Sequence, residues 1–186
     1  MVDNQADIDL FYRIKNGDKG ALEVVFLKYY DPLFAFAKSF LNPSDAEEVV
    51  SDIFFQLWQK KEIIKIYVSL KGYLYAAVRN RCLNHIERNN KKNERLDQVE
   101  YQLSEKLDVQ PDELMMYKEI QNELDFLIDQ LPSQCKVIFK LSRDEELSHK
   151  EISKIMEISV NTVNTQIYRA LKYLRSKLFS EVSEKL

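Results

Sequence analysis

Apolar side chains recur three and four residues apart along almost every segment of this chain, and only three glycines and four prolines interrupt 186 residues. That spacing lines one face of a helix, whereas a strand needs alternation and a sheet protein needs many more turn residues. The expected fold is all-α, with two helical domains joined by a flexible acidic linker.

Along the chain, helices are predicted from Ile8 to Asn16 and from Lys19 to about Leu41. Asn16-Gly17-Asp18 forms the break, and Asp18 is a candidate N-cap. Leu22, Val25, Phe26, Tyr29, Leu33 and Phe36 give the second helix its apolar stripe, and Pro32 should bend or divide it. Ser44 or Asp45 is expected to cap a third helix, AEEVVSDIFFQLWQKK, whose early acids suit the positive end of the helix dipole. Val49, Ile53, Phe54, Leu57 and Trp58 face inward on it, with Trp58 read as core packing.

KEIIKIYVS has no helical period and reads as a connector. Ser69 then opens a helix to about Arg88, with Leu70, Leu74, Val78, Cys82 and Ile86 on one side and Tyr73, Asn80, Asn84 and Lys91 on another. Asn93 to Pro111 is acidic and weakly periodic, a linker. A helix over Asp112 to Asp129 follows, carrying Leu114, Tyr117, Ile120, Leu124, Leu127 and Ile128 inward, and Ser133 is the candidate cap of the next. The predicted units are residues 1–92, a linker at 93–111 and residues 112–180.

The net charge of −3 hides a segregation. Residues 1–59 carry five basic and ten acidic side chains, residues 60–95 ten and three, residues 96–133 two and ten, and residues 134–177 nine and five. Blocks of alternating sign imply separate surfaces with separate partners, and the two basic blocks suit phosphates. Cys82 and Cys135 stand far apart with no disulfide framework, and the acidic N-terminus does not resemble a signal peptide. With no apolar run of the roughly 18–20 residues needed to cross a bilayer, a cytoplasmic protein is expected.

The stretch LSHKEISKIMEISVNTVNTQIYRALKYLRSKL, Leu147 to Leu178, carries the strongest local signal. Ser148 with Glu151 three residues later is a capping box, placing Ile152, Ile155 and Met156 on the buried side of a short helix. A three-residue turn, Glu157-Ile158-Ser159, leads to a second helix capped by Ser159, which is helix-turn-helix spacing. Val163, Ile167, Leu171, Leu174 and Leu178 are assigned to its inner face, and Asn161, Asn164, Thr165, Tyr168, Arg169 and Lys172 to its outer one. Amide, hydroxyl and cationic side chains in that arrangement suit base edges and phosphates, as in a DNA recognition helix.

This segment resembles region four of the sigma-70 family, in the style of the extracytoplasmic-function group expanded in Bacteroides-type bacteria. Response regulators of the LuxR type share similar wording, so the N-terminal half is needed to separate them. There YYDPLFAFA, DAEEVVSDIFFQLWQKK and SLKGYLYAAVRNRCLNHIERNNKK, in this order, resemble region two of the same group. No α/β alternation suggests a receiver domain.

The resemblance implies an RNA polymerase sigma factor that binds core RNA polymerase and promoter DNA, has no cofactor and no small-molecule substrate, and is not an enzyme. It implies that the third helix docks on core polymerase through Asp45, Glu48, Asp52 and Phe55, with Ser51 standing where many relatives have glutamine. It assigns Asn80 and Asn84 to the −10 element, with Arg79, Arg88, Lys91 and Lys92 on or near the same face reaching phosphates, and an unstacked base to the Lys60–Ser69 loop. The −35 element falls to Asn164, Thr165, Tyr168 and Arg169, with Lys172 on the backbone and Asn161 in place of the usual glycine. The acidic linker is expected to occupy basic polymerase channels. An anti-sigma factor, often membrane-embedded, is the remaining implied partner.

Two other classes make different predictions. A LuxR-like helix-turn-helix regulator would bind duplex promoter DNA without polymerase. A helical interaction module would show no salt-sensitive DNA binding. For an enzyme there is little: Cys82 and His85 supply at most two metal ligands, and no glycine-rich phosphate loop exists.

Overall fold

A computed structural model describes residues 2–66, 69–93 and 123–184, with side chains placed for 5–66, 69–89 and 123–178. Among these residues the regular structure is helical: α1 Val2–Lys15, α2 Lys19–Ala37, α3 Pro43–Gln59, α4 Leu70–Asn93, α5 over 123–129, α6 Ser133–Arg143, α7 His149–Met156 and α8 Val160–Glu184. The predicted linker, and Leu114, Tyr117 and Ile120 of the helix placed after it, lie outside the described residues.

Local chemistry explains most helix ends. Gly17 has φ +85°, a left-handed conformation that an L side chain resists, and Asp18 then caps α2 by accepting from the Ala21 N–H. α2 runs through Pro32 undivided and stops at Ala37, short of the expected Leu41. The lost backbone bond at proline is offset by Tyr29, Leu33 and Phe36, which bury either side of it. Phe26 of the predicted stripe sits at the rim, 38% exposed.

Asn42 caps α3, rather than Ser44 or Asp45. Its Oδ1 accepts from the Asp45 N–H at 3.0 Å, and Pro43 takes the first helical position, where no N–H is needed. Ser69 starts α4 by accepting from the Gly72 N–H at 3.0 Å, and the helix continues beyond the predicted Arg88 to Asn93. Leu70, Leu74, Tyr75, Val78 and Cys82 are buried on its core side. Burial pushes the Cys82 thiol up to about 12, leaving it an unreactive packing group.

In the second half, Pro132 rather than Ser133 is the N-cap of α6, with no side-chain capping bond. Pro132 has a helical φ of −51° but an extended ψ of 141°, so the helix starts one residue later and Ser133 becomes its first member. α7 has the full capping box: the Ser148 hydroxyl accepts from the Glu151 N–H at 3.3 Å, and the Glu151 carboxylate accepts from the Ser148 N–H at 3.0 Å. The turn at residues 157–159 has the expected length, and Ser159 Oγ accepts from the Thr162 N–H at 3.0 Å. On α8 the buried positions are Val163, Ala170 and Leu174, with Ile167 half-buried. Leu171 and Leu178, placed inward from the sequence, are 54% and 37% exposed. At 100° per residue Ala170 lies about 20° from Val163, whereas Leu171 lies about 80° away.

One apolar cluster joins the two halves. Leu70, Leu74, Tyr75 and Val78 of α4 belong to the same buried group as Val137, Ile138 and Leu141 of α6 and Ile152, Ile155 and Met156 of α7. The opposite face of α6, Cys135 and Phe139, packs with Leu127, Ile128, Leu131, Ala170 and Leu174 in a second cluster. α6 is therefore apolar on two sides, and α7 lies against α4.

Glu151 links the cap to this contact. Burial alone pushes its carboxyl up, but the Ser148 hydroxyl and N–H, the Ser69 hydroxyl and nearby Lys71 outweigh it and hold the pKa below 4.5. A lowered native pKa means stability that is present above the unfolded value and lost as pH falls through the native one. Ser148→Ala is expected to cost about 1 kcal/mol at neutral pH. Acid titration of chemical stability should also show a shallower loss below pH 4.5 than in the parent, because one donor to the carboxylate is gone.

Candidate nucleic-acid and polymerase interfaces

The six residues predicted for the second helix of the helix-turn-helix stay outside its core. Asn161, Asn164, Thr165, Tyr168, Arg169 and Lys172 are exposed or at the rim of α8, while Val163, Ala170 and Leu174 anchor the opposite side. Tyr168 is 66% exposed, so its ring and hydroxyl are both open to a partner. The Thr165 hydroxyl donates to the Asn161 carbonyl at 2.8 Å, so its methyl is the group left to meet a base. Asn164 Oδ1 lies 2.6 Å from His149 Nδ1, a contact between the first residue of α7 and the outer face of α8.

On α4, Asn80, Asn84 and Arg88 are exposed at spacings of four and form one row. Lys91 and Lys92 extend the helix, and their side chains lie outside the described residues. Arg79 is differently placed from the sequence expectation. Only 13% of its side chain is exposed, and its guanidinium lies 3.2 Å from Glu157 in the turn between α7 and α8, and donates to Asn80 Oδ1 at 3.3 Å. An arginine assigned to phosphate is here paired with a carboxylate from the other half.

Two further polar contacts cross the same boundary. Lys71 Nζ is 3.0 Å from the Glu145 carboxylate, and Ser69 Oγ donates to Glu151 Oε1 at 2.9 Å. Sequence reasoning missed all three, because residues some 70 to 80 positions apart give no periodic signal. The connector ahead of α4 borders two clefts. One of about 340 Å³ is lined by Phe11, Tyr12, Lys15 and Lys65, and one of about 260 Å³ by Lys65, Tyr73, Glu151 and Lys154.

The stripe on α3 forms as its spacing requires. Asp45, Glu48, Asp52 and Phe55 follow one another at three, four and three residues, with Glu48 exposed and Phe55 59% exposed. Phe55 borders an open apolar hollow shared with Leu22, Phe26, Phe54 and Trp58. Trp58 is half-buried and carries Lys61 Nζ 4.2 Å above its ring. Asp52 pairs with Arg81 of α4, and Asp45 with Asn42, so part of the acidic stripe also braces the bundle.

Residues 25–92 match the model of sigma-70 region 2, and residues 121–174 match that of sigma-70, region 4. Over 185 residues the chain is 25% identical to the ECF RNA polymerase sigma-E factor of Haemophilus influenzae, covering 96% of this chain and 98% of that one. The chain belongs to the extracytoplasmic-function group of the sigma-70 family. The RNA polymerase sigma-H factor of Pseudomonas aeruginosa is 24% identical over 178 residues, 91% of this chain and 92% of that protein. Among solved structures, the sigma factor RpoE of Bartonella quintana, crystallised with the anti-sigma factor NepR, aligns with a TM-score of 0.64 at 19% identity. That alignment covers 84% of this chain and 95% of RpoE. CnrH, solved with the cytosolic domain of CnrY, aligns at 0.59 and 17% identity over 94% and 98%. The region 2 match contains α3 and α4 up to residue 92, and the region 4 match contains α7 and α8 up to residue 174, including all six outer residues of α8. This sigma factor therefore carries its two candidate reading helices in two separately matched regions. No described helix is long and apolar enough to cross a membrane.

Proposed function

We propose that this sigma factor acts in the cytoplasm by binding core RNA polymerase through Asp45, Glu48, Asp52 and Phe55 of α3. α4 takes the −10 element through Asn80 and Asn84, with Arg79, Arg88, Lys91 and Lys92 on phosphates. α8 takes the −35 element through Asn161, Asn164, Thr165, Tyr168 and Arg169, with Lys172 on the backbone. The protein makes and breaks no covalent bond itself; it positions a polymerase. The observation that carries this reading is the outer face of α8, where amide, hydroxyl and cationic groups stand together on a helix whose other side is packed. Amides and hydroxyls read base edges, and cations hold phosphates.

The acidic linker, residues 93–111, joins unit 1–92 to unit 112–180 and suits the basic lining of polymerase channels by charge. An anti-sigma factor is the expected restraint on such a protein, as NepR and CnrY accompany the two similar structures.

Purified protein mixed with bacterial core polymerase should co-elute with it and yield promoter-dependent transcripts that core alone does not make. Binding to duplex DNA with no binding to core would instead favour a free-standing helix-turn-helix regulator. Raising salt should weaken promoter binding steeply, since each phosphate contact releases counterions.

A further inference from the structure

We infer that His149 is a positioning residue for base recognition: it holds Asn164 so that the amide turns its N–H₂ to DNA. The inference rests on the reading of α8 as the −35 reader. His149 opens α7 directly after the Ser148 cap, and Asn164 is the fifth residue of α8, so the turn between the helices brings the two together. Both are exposed, and His149 Nδ1 lies 2.6 Å from Asn164 Oδ1.

An amide oxygen has no proton to give. At 2.6 Å the hydrogen must therefore lie on Nδ1, with the imidazole donating and the amide accepting. The backbone supports this geometry from both sides. Ser148 and Glu151 fix the start of α7 through the capping box, and Ser159 with Thr162 fixes the start of α8.

The consequence is chemical. A free asparagine pairs with adenine through two bonds, accepting from N6 and donating to N7. With one of the two Oδ1 lone pairs taken by His149 and the amide plane fixed by that bond, acceptance from N6 is weakened and donation from the N–H₂ dominates. The reader then favours base edges that accept, guanine through O6 and N7 or thymine through O4, and gains nothing special from adenine. His149 would thus set the base preference of Asn164 without touching DNA itself.

The test uses the full-length protein with core polymerase and a promoter library randomised across the −35 element. Asn164→Ala first identifies the position this side chain reads. The parent is expected to prefer guanine or thymine there. His149→Ala and His149→Phe should both shift preference toward adenine at that position alone, by about fivefold or more, the low end of one base contact. His149→Gln, whose amide N–H₂ can donate in the same way, should keep the parental preference.

A uniform loss across all sequences in His149→Ala would overturn the inference, since it would mean a phosphate contact or a purely structural role. A parental preference for cytosine or adenine at that position would overturn it as well. If the parent gives no promoter-dependent transcript with any core polymerase that it binds, the −35 reading itself fails, and that failure is visible before any variant is compared.

Discussion

Replacing Asn80 and Asn84 together by alanine is expected to reduce promoter-dependent transcription by about 10- to 100-fold while leaving co-elution with core polymerase unchanged. Each base contact is worth about 1–3 kcal/mol, and unstacked bases that lose their partners return to the duplex. Both side chains are exposed on α4, away from the buried row Leu74, Val78 and Cys82. Alanine is also a better helix former than asparagine by several tenths of a kcal/mol. The variant should therefore melt at or above the parental temperature, so a fall in transcription cannot be attributed to unfolding. Equal transcription from parent and variant would show that these asparagines are a solvated helix face and nothing more.

The second large effect concerns the contact between the halves. Elements named for positions −35 and −10 lie about 25 base pairs apart, roughly 85 Å of duplex at 3.4 Å per pair. A compact chain of 186 residues has a radius of gyration of only about 16 Å. With α7 packed on α4, the proposed reading of both elements at once requires the contact to open. Glu145→Lys with Glu157→Lys places lysines opposite Lys71 and Arg79, turning two attractions into repulsions.

Partly exposed pairs are each worth about 0.2–1 kcal/mol, and reversal adds a repulsion of similar size. Over two pairs this sums to about 0.8–4 kcal/mol, so the double variant should shift the closed–open balance by about 4- to several-hundred-fold, seen as a larger radius of gyration in X-ray scattering and tighter promoter-DNA binding by the free protein. Adding Lys71→Glu and Arg79→Glu should restore compactness by exchanging the charges, though not DNA binding, because Arg79 is then lost as a phosphate contact. An unchanged radius in the first variant would mean that the apolar contact alone, through residues such as Ile155 and Met156, keeps the halves together.

Much of this protein was legible in order of residues, and the reasons are local. Apolar spacing placed the seven helices with named ends in order and most ends to within about five residues, although α1 begins at Val2, six residues before the predicted Ile8, because helical periodicity and the buried face are the same fact seen twice. The capping box at Ser148 and Glu151 and the three-residue turn were readable because the partners lie within one turn of each other. The six outer residues of α8 were readable for the same reason. The misplacements were also local: Asn42 took the cap from Ser44 and Asp45, Pro132 took it from Ser133, and Ala170 took the inner position from Leu171. At α3 and α8 more than one residue nearby satisfied the rule, while at α6 the extended ψ of Pro132 set the start.

What the sequence determined alone was the kind of protein: helical, divided in two, with amide, hydroxyl and cationic side chains on the outer faces of α4 and α8 and acids on α3. What the tertiary structure decided was how those surfaces are engaged. It joined α6 and α7 to the core of the first half, turned Arg79 from a free cation into the partner of Glu157, paired Asp52 with Arg81, and set His149 against Asn164. These contacts depend on distances between residues far apart in the chain or on separate helices. Periodicity carries no information about them, because it records which side of a helix is buried and not which other helix buries it.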